Sequence, residues 1–99
     1  MRILARRTLV EFWTVHPATE ASLRHWHAVA SEAEWGSPHE VVASFSKAKS
    51  INGERVRFEV AGGDFRLIVA FDFARRIAFI KFIGSHAEYD RIDAATVTM

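Results

Sequence analysis

Titratable side chains are concentrated in the segment Gly84 to Asp93, directly after the apolar run Ile77 to Ile83. The segment contains an imidazole (His86), a phenol (Tyr89) and three carboxylates. Polar groups gathered just past the end of a core strand favour chemistry at the edge of a sheet over packing. Together with the cations expected on the sheet itself, they indicate a site that handles phosphate.

His86 is the side chain best suited to proton transfer, because the ordinary pKa of histidine lies near neutrality. The alternative is a loop histidine that is hydrogen-bonded to the backbone. Tyr89 can stack on a base or exchange a proton, or it can simply pack its ring on the sheet. Asp90 either orients His86 or caps a helical turn over residues 90–95, and we expect the cap.

Three cations, Arg57, Arg66 and Lys81, are expected on one face of neighbouring strands. Guanidinium groups bind phosphate through two parallel hydrogen bonds and stabilise the negative charge that builds up in the transition state of RNA cleavage. The alternative is a solvated face with a Glu59–Arg66 pair. Apolar side chains are expected on the same face: Ile68, Phe79 and Ile83. A mixed apolar and cationic face is typical of a binding surface.

The bulk composition indicates one domain spanning residues 1–99. A hydrophobic fraction of 49% is enough for a core, and the absence of cysteine excludes disulfides and thiolate metal sites. Cysteine-free composition fits a reducing cytoplasm. No apolar run approaches the roughly 18 residues of a transmembrane helix, and the N-terminus does not resemble a signal peptide.

The net charge is only +1, but the charges are unevenly distributed. Between Lys47 and His86 there are eight basic and four acidic residues, a local excess of four positive charges. The positive charge is therefore expected on the sheet. This pattern argues more for a local phosphate site than for general binding to nucleic acid.

The N-terminal half predicts a short strand over residues 2–5 followed by helices. Thr8 and Glu11 have the spacing of a capping box, so we expect the first helix to begin at Thr8. His16 and Pro17 end that helix, because a residue before proline disfavours helical geometry.

A second helix is expected from Pro17 to Trp35, with Gly36 as its stop. The run Ser37-Pro38-His39-Glu40 is a second capping box with proline at the first helical position, and it predicts a short third helix.

From residue 55 onward the apolar period changes to two, which predicts strands. Gly62-Gly63 indicates a two-residue hairpin loop, and pairing across it sets Val60 opposite Phe65 and Phe58 opposite Leu67. On the next strand we expect three residues on the buried face: Ala78, Ile80 and Phe82. The predicted fold is α+β, with N-terminal helices packed on one face of a twisted antiparallel β-sheet.

No metal or cofactor site is predicted. His25 and His27 lie two residues apart, a spacing that does not place them side by side on a helix. No metal-ligand spacing and no glycine-rich phosphate loop is present.

At this point the chain resembles the HigB-type toxins of bacterial type II toxin–antitoxin systems, within the RelE-like mRNA interferase superfamily. Three blocks carry the resemblance, in order along nearly the whole chain. They are Arg2–Leu9 with Phe12-Trp13 and His16-Pro17, then Arg55–Val60 with Gly62 and Phe65–Leu67, and finally Phe82–His86 with Tyr89-Asp90.

The resemblance implies a RelE-like fold and a ribosome-dependent, metal-independent mRNA endoribonuclease without a cofactor. It implies that Arg66 and Lys81 stabilise transition-state charge, that His86 transfers a proton, and that Tyr89 stacks on a base or transfers a proton. Neighbouring basic residues are expected to bind RNA: Lys47, Lys49, Arg55 and Arg57.

The resemblance also implies partners. The protein would inhibit translation and growth by cleaving mRNA on the ribosome in the cytoplasm. A HigA-like antitoxin with a helix-turn-helix would neutralise it by direct binding. The alternative is a non-catalytic module that binds RNA or protein through the cationic sheet face.

Overall fold

The computed structural model describes all residues from Met1 to Met99. In chain order the elements are β1 (Arg2–Leu4), α1 (Arg6–Val15), α2 (Glu20–Glu32), α3 (Pro38–Ser44), β2 (Lys49–Ser50), β3 (Arg55–Val60), β4 (Phe65–Asp72), β5 (Ile77–Ser85) and α4 (His86–Tyr89). The predicted α+β class is confirmed. No helix has the length and apolar character needed to cross a membrane.

Helices α1 and α2 bury apolar stripes against one face of the sheet. Leu9 and Trp13 are buried on α1, four residues apart and hence on one side of the helix. On α2 the buried residues are Leu23, Trp26 and Ala30. Their partners in the core include Val56, Phe58, Leu67 and Val69.

The first helix begins two residues earlier than predicted. Ala5 occupies the N-cap position without any side-chain hydrogen bond, so the expectation that Thr8 caps this helix is wrong. Glu11 instead pairs with Arg7, with 2.9 Å between Oε1 and Nε, across one turn of the helix. The predicted end is confirmed, because α1 stops at Val15.

The second helix begins later and ends earlier than predicted, whereas the start of the third helix agrees with the prediction. Pro17–Thr19 form a 3₁₀ turn before α2, and α2 ends at Glu32, three residues before Trp35. The predicted cap of α3 is confirmed, since the Ser37 hydroxyl accepts the Glu40 N–H. The Glu40 carboxylate accepts the N–H of Gly36, at 2.8 Å.

The five strands form one sheet in the order β1-β5-β4-β3-β2. The sheet is mixed, because β1 pairs in parallel with β5 while all other pairs are antiparallel. The predicted β3–β4 register is confirmed, including the pairs Val60↔Phe65 and Phe58↔Leu67. The predicted two-residue loop is wrong: residues 61–64 form the connection, with φ of 53° at Ala61, 70° at Gly62 and 97° at Gly63.

A β-bulge at Lys81 changes which side chains of β5 face the core. Val69 pairs with Ile80 and Ile68 pairs with Phe82, so Lys81 is the extra residue. Beyond the bulge the faces exchange. Ile83 is 7% exposed within the core, and Phe82 lies on the opposite face. The predictions that Phe82 is buried in the core and that Ile83 shares the cationic face are therefore wrong.

The face of the sheet opposite α1 and α2 is also covered. Ile68, on this face, is fully buried. Helix α4 contacts β4 and β5, and the residues after it reach Arg55, whose Nη1 donates to the carbonyls of Ala94 (3.0 Å) and Val97 (2.7 Å). The sequence predicted that this cationic face of the sheet would be open. Helix α4 and the residues after it cover part of this face, so less of it is exposed than we expected.

Candidate functional site

A capping box fixes the start of α4 at the end of β5. The Ser85 hydroxyl accepts the Glu88 N–H at 3.1 Å, and the Glu88 carboxylate accepts the Ser85 N–H at 2.9 Å. The N–H of His86 donates to the carbonyl of Asp64 at 2.9 Å, which ties α4 to the β3–β4 loop. Sequence reasoning missed this cap, although its Ser-x-x-Glu spacing is the ordinary signal for one.

The same cap lowers the pKa of the Glu88 carboxyl. The backbone hydrogen bond from Ser85 is the largest cause that holds the pKa of the Glu88 carboxyl below its ordinary value, followed by the bond to the Ser85 side chain. The charge of His16 acts in the same direction. Glu88 therefore stabilises α4 as an anion at the helix N-terminus.

Gly84 allows two aromatic rings to lie over the end of the sheet. A Cβ at this position would come within 2.7 Å of the Phe82 ring. The centres of the Phe82 and Tyr89 rings lie 6.4 Å apart. A side chain at Gly84 would displace Phe82, and with it the support of Tyr89.

Arg66 meets Tyr89 at this end of the sheet. Its guanidinium carbon lies 6.0 Å from the centre of the Tyr89 ring, and the residue is only 8% exposed. Its Nη1 donates to the carbonyl of Gly63 and, at 3.3 Å, to that of Phe65. The structure therefore brings together two of the predicted site residues, a guanidinium and a phenol, beside α4.

His86 stands exposed at the first position of α4. Its Nε2 lies 3.6 Å from an Asp90 carboxylate oxygen, one helical turn away. Asp90 therefore pairs with His86, and the expectation that it caps a turn over residues 90–95 is wrong. The residue that caps this turn is Asp93, whose carboxylate accepts the Ala95 N–H at 3.0 Å.

Lys81 lies on the same face of the sheet as the arginines. Its ammonium is 5.5 Å from the centre of the Phe79 ring, and it lines a surface cavity together with Arg55 and Asp72. Lys81 precedes Gly84, the strand partner of Arg66, by three residues, which is about 10 Å along a strand. The catalytic role of Lys81 beside Arg66 stays a prediction.

The four predicted RNA-binding residues fall into two pairs. Lys47 and Lys49 are exposed beside the outer edge of the sheet. Arg55 is bound to the C-terminal segment, and Arg57 donates to the Lys47 carbonyl (3.3 Å) and approaches the Glu59 carboxylate (3.4 Å). The two lysines are thus available to a ligand, whereas the two arginines are held by the protein itself.

Three guanidinium groups on this face each have an Nε–H that makes no hydrogen bond within the protein. Each has a buried Nε without an acceptor: Arg55, Arg57 and Arg66. A buried N–H without a partner is unfavourable, so each of these guanidinium groups is held at some cost in free energy.

His16 lies close to the site, and sequence reasoning treated it only as the end of α1. Its ring stacks on Phe12, with centres 4.4 Å apart, and lies 5.4 Å from Phe65, the strand partner of Ser85. No local sequence signal marks this proximity, because it depends on how α1 packs across the sheet.

No three histidine or carboxylate side chains converge as metal ligands anywhere in the chain. His25 packs against Phe45, and His27 lies 3.3 Å from the Ser31 hydroxyl. The functional groups that do converge beside α4 are the Arg66 guanidinium and the Tyr89 phenol, with the His86 imidazole exposed on the same helix.

Comparison with known proteins identifies the family of this chain. The family model for HigB toxins, described as the RelE-like toxic component of a toxin–antitoxin system, matches residues 19–92. The chain is similar to the mRNA interferase HigB of Escherichia coli O6:H1, with 24% identity over 94 residues that cover 93% of this chain and 91% of the relative. The matched region includes β3, β4, β5 and α4, which carry the site. The chain therefore belongs to the HigB toxin family, the RelE-like toxic components of toxin–antitoxin systems.

Proposed function

We propose that this toxin is an mRNA endoribonuclease whose site is formed by Arg66, Tyr89 and His86. The observation that carries the proposal is the meeting of Arg66 and Tyr89, 6.0 Å apart, beside the helix that presents His86. The name of the Escherichia coli relative, an mRNA interferase, supports the same chemistry.

In the proposed reaction the ribose 2′-hydroxyl attacks the adjacent phosphate. A bond forms between the 2′-oxygen and phosphorus, and the bond from phosphorus to the 5′-oxygen breaks. The 2′-hydroxyl proton passes to a base and the 5′-oxygen gains a proton, so the products are a 2′,3′-cyclic phosphate and a 5′-hydroxyl. The chemistry requires one proton acceptor, one proton donor and a cation for the phosphoryl oxygens.

The residues divide these tasks by their chemistry and position. The Arg66 guanidinium binds the phosphoryl oxygens, because it is a cation beside Tyr89 and guanidinium suits phosphate. His86 transfers a proton, and the Asp90 carboxylate 3.6 Å from its Nε2 orients the ring. Tyr89 stacks on a base or acts as the second proton-transfer group. Lys81 acts at a distance, on the bound RNA rather than on the cleaved phosphate.

Ribosome dependence follows from the small number of free cations. The net charge is +1, and two of the arginines on this face are 8% exposed. Affinity for free RNA depends on how many phosphates a protein neutralises, so this chain would bind naked mRNA weakly. A ribosome that holds the mRNA supplies the missing positioning. We further propose a HigA-like antitoxin as the neutralising partner.

Cleavage of one mRNA by the purified protein, with and without ribosomes translating it, tests the proposal. We expect cuts only on ribosomes, with 2′,3′-cyclic phosphate and 5′-hydroxyl ends, and none with His86→Ala. Steady cleavage of naked mRNA would refute the ribosome dependence alone. No cleavage under either condition by folded wild-type protein would favour a non-catalytic binding module.

A further inference from the structure

A cavity of about 310 Å³ lies beside the outer edge of β3. Strand β2 pairs only with Val56 and Arg57, so the next residues of β3 have no strand neighbour on that side. The cavity is lined by α2, by the segment between α3 and β2, and by β3. Its volume falls within the roughly 300–1,000 Å³ of ordinary ligand pockets.

Trp26 lines this cavity with an unused hydrogen-bond donor. The residue is 3% exposed, and its Nε1–H has no acceptor within the protein. Trp35 provides the contrast, because its Nε1 donates to the Ser44 hydroxyl at 3.0 Å. A buried indole N–H without a partner is uncommon and unfavourable, so an acceptor that reached it from the cavity would be bound favourably.

The walls of the cavity are aromatic and contiguous. The Trp26 and Phe58 rings pack edge to face with their centres 5.5 Å apart, and the centres of the Phe58 and Phe45 rings are 5.2 Å apart. His25 continues the series, 6.3 Å from Phe45. The other lining groups include hydroxyls, on Ser22, Ser44 and Ser46. Aromatic walls with a few polar groups suit a planar heteroaromatic ring that has acceptor atoms at its edge.

The mouth of the cavity connects to the cationic face. Lys47 and Glu59 both line the cavity. Arg57 joins them, since its Nη2 lies 3.3 Å from the Lys47 carbonyl and 3.4 Å from the Glu59 carboxylate. Lys49, the strand partner of Arg57, is exposed nearby. A phosphate attached to a ring in the cavity would therefore lie beside the exposed Lys47, at a mouth that also carries the Glu59 carboxylate.

We propose that this cavity binds one nucleobase of the RNA, away from the cleaved phosphate. The proposal rests on the proposed function for the identity of RNA as the ligand. Glu59 of β3 pairs with Arg66 of β4, which pairs with Gly84 of β5, so the cavity and α4 are separated by at least two strand spacings, about 10 Å. The base in the cavity therefore belongs to a nucleotide other than the one at the cleaved phosphate, and the Trp26 N–H contributes to sequence preference.

The indole N–H resonance of Trp26 reports directly on this site. It is assigned by its loss in Trp26→Phe, and the resonance of Trp13, on α1, serves as the internal control. The probes are the four nucleosides, the four 5′-mononucleotides, inorganic phosphate and a short single-stranded RNA. We expect at least one nucleoside and its mononucleotide to move the Trp26 resonance in a saturable way, while phosphate does not.

Each other result of this titration contradicts the proposal. A resonance that no nucleoside or nucleotide moves would leave the cavity without a base-binding role and favour a protein side chain as its occupant. Movement by mononucleotides but not by the RNA would identify a free nucleotide as the ligand instead. Movement by phosphate alone would place the ligand at Lys47 rather than at the indole.

The kinetic test separates this inference from the proposed function. Trp26→Phe keeps an aromatic ring and removes the donor, so we expect KM for mRNA cleavage to rise about five-fold, as for one neutral hydrogen bond, with kcat unchanged. Base preference should relax at one position beside the cut. Trp13→Phe should change neither. His86→Ala should abolish cleavage yet leave the Trp26 resonance responsive to nucleosides, whereas unchanged KM and preference in Trp26→Phe would refute the base pocket.

Discussion

The guanidinium carbon of Arg66 lies 6.0 Å from the centre of the Tyr89 ring, at the point where β5 ends and α4 begins. This contact joins the cation best placed for a phosphate to the only tyrosine of the chain. Arg66 is held by two backbone carbonyls, so its position is set before any ligand arrives. Preorganised donors of this kind are the usual source of transition-state stabilisation.

Arg66→Lys keeps the charge and removes the planar fork. We expect kcat for mRNA cleavage to fall by about two orders of magnitude, because a lysine cannot make the paired hydrogen bonds of a guanidinium. Cut mapping on ribosome-bound mRNA measures the loss, and circular dichroism checks the fold. Arg75→Lys, at an exposed turn, is the matched control. Equal activity of Arg66→Lys and wild type would remove Arg66 from the site.

Ser85→Ala removes the cap that begins α4. We expect the free energy of unfolding to fall by about 1 kcal/mol, the ordinary cost of losing a helix cap, together with slower cleavage, because α4 presents His86 and Tyr89. Ser37→Ala removes the corresponding cap of α3 and should cost a similar amount without slowing cleavage. Urea denaturation and cleavage rates measure the two effects. If both variants slowed cleavage alike, the effect would be one of stability alone.

The bulge at Lys81 predicts unequal roles for two isoleucines of the same strand. Ile83 is 7% exposed in the core, whereas Ile77 is only partly buried on the other face. Ile83→Ala should therefore destabilise the protein by about 2–5 kcal/mol, and Ile77→Ala by clearly less. Denaturant unfolding compares them. A similar cost at both positions would mean that Ile83 shares the face of Ile77 and that the faces of β5 are not exchanged.

His27 makes stability depend on pH. Desolvation by burial, and secondly the charge of Arg6, hold the pKa of His27 below its ordinary value of 6.5. The unfolded chain therefore gains a proton at a higher pH than the folded chain does. Stability from this group is fully present above about pH 6.5 and is lost as pH falls through 6.5 toward the folded pKa.

The pH effect is measured as the urea midpoint at several pH values between neutrality and mild acid. His27→Gln should show a smaller fall in midpoint than wild type over this range. His39→Gln, on the exposed side of α3, is the control and should follow wild type. A fall of the same size in His27→Gln and wild type would assign the pH dependence to other groups.

The β3–β4 pairing could be predicted from sequence, because apolar and polar residues alternate on both strands and a pair of glycines separates them. The same logic failed on β5. Between Ile77 and Ile83 only Lys81 is polar, so the pattern contains no mark of the extra residue. The face that Phe82 and Ile83 occupy depends on packing across the sheet, and a period-two sequence pattern contains no information about that packing.

For the candidate site, the sequence located the segment but not its contacts. Clustering of titratable groups after an apolar strand pointed to His86, Tyr89 and Asp90. The hydrogen bonds from Arg55 to the carbonyls of Ala94 and Val97 could not be predicted from the sequence, because every residue has a backbone carbonyl that could accept them. The extra residue at Lys81 was equally hidden, because the pattern of β5 does not mark it.

The most direct test of the account is the mapping of mRNA 5′ ends after induced expression of wild type beside His86→Ala. If His86 is part of the endoribonuclease site, we expect growth arrest and new 5′ ends within translated mRNA for wild type only, with the variant folded and equally expressed. The same new ends from His86→Ala would contradict the placement of the site around α4. The absence of new 5′ ends with a folded, soluble wild type would contradict the proposal that the protein is an endoribonuclease.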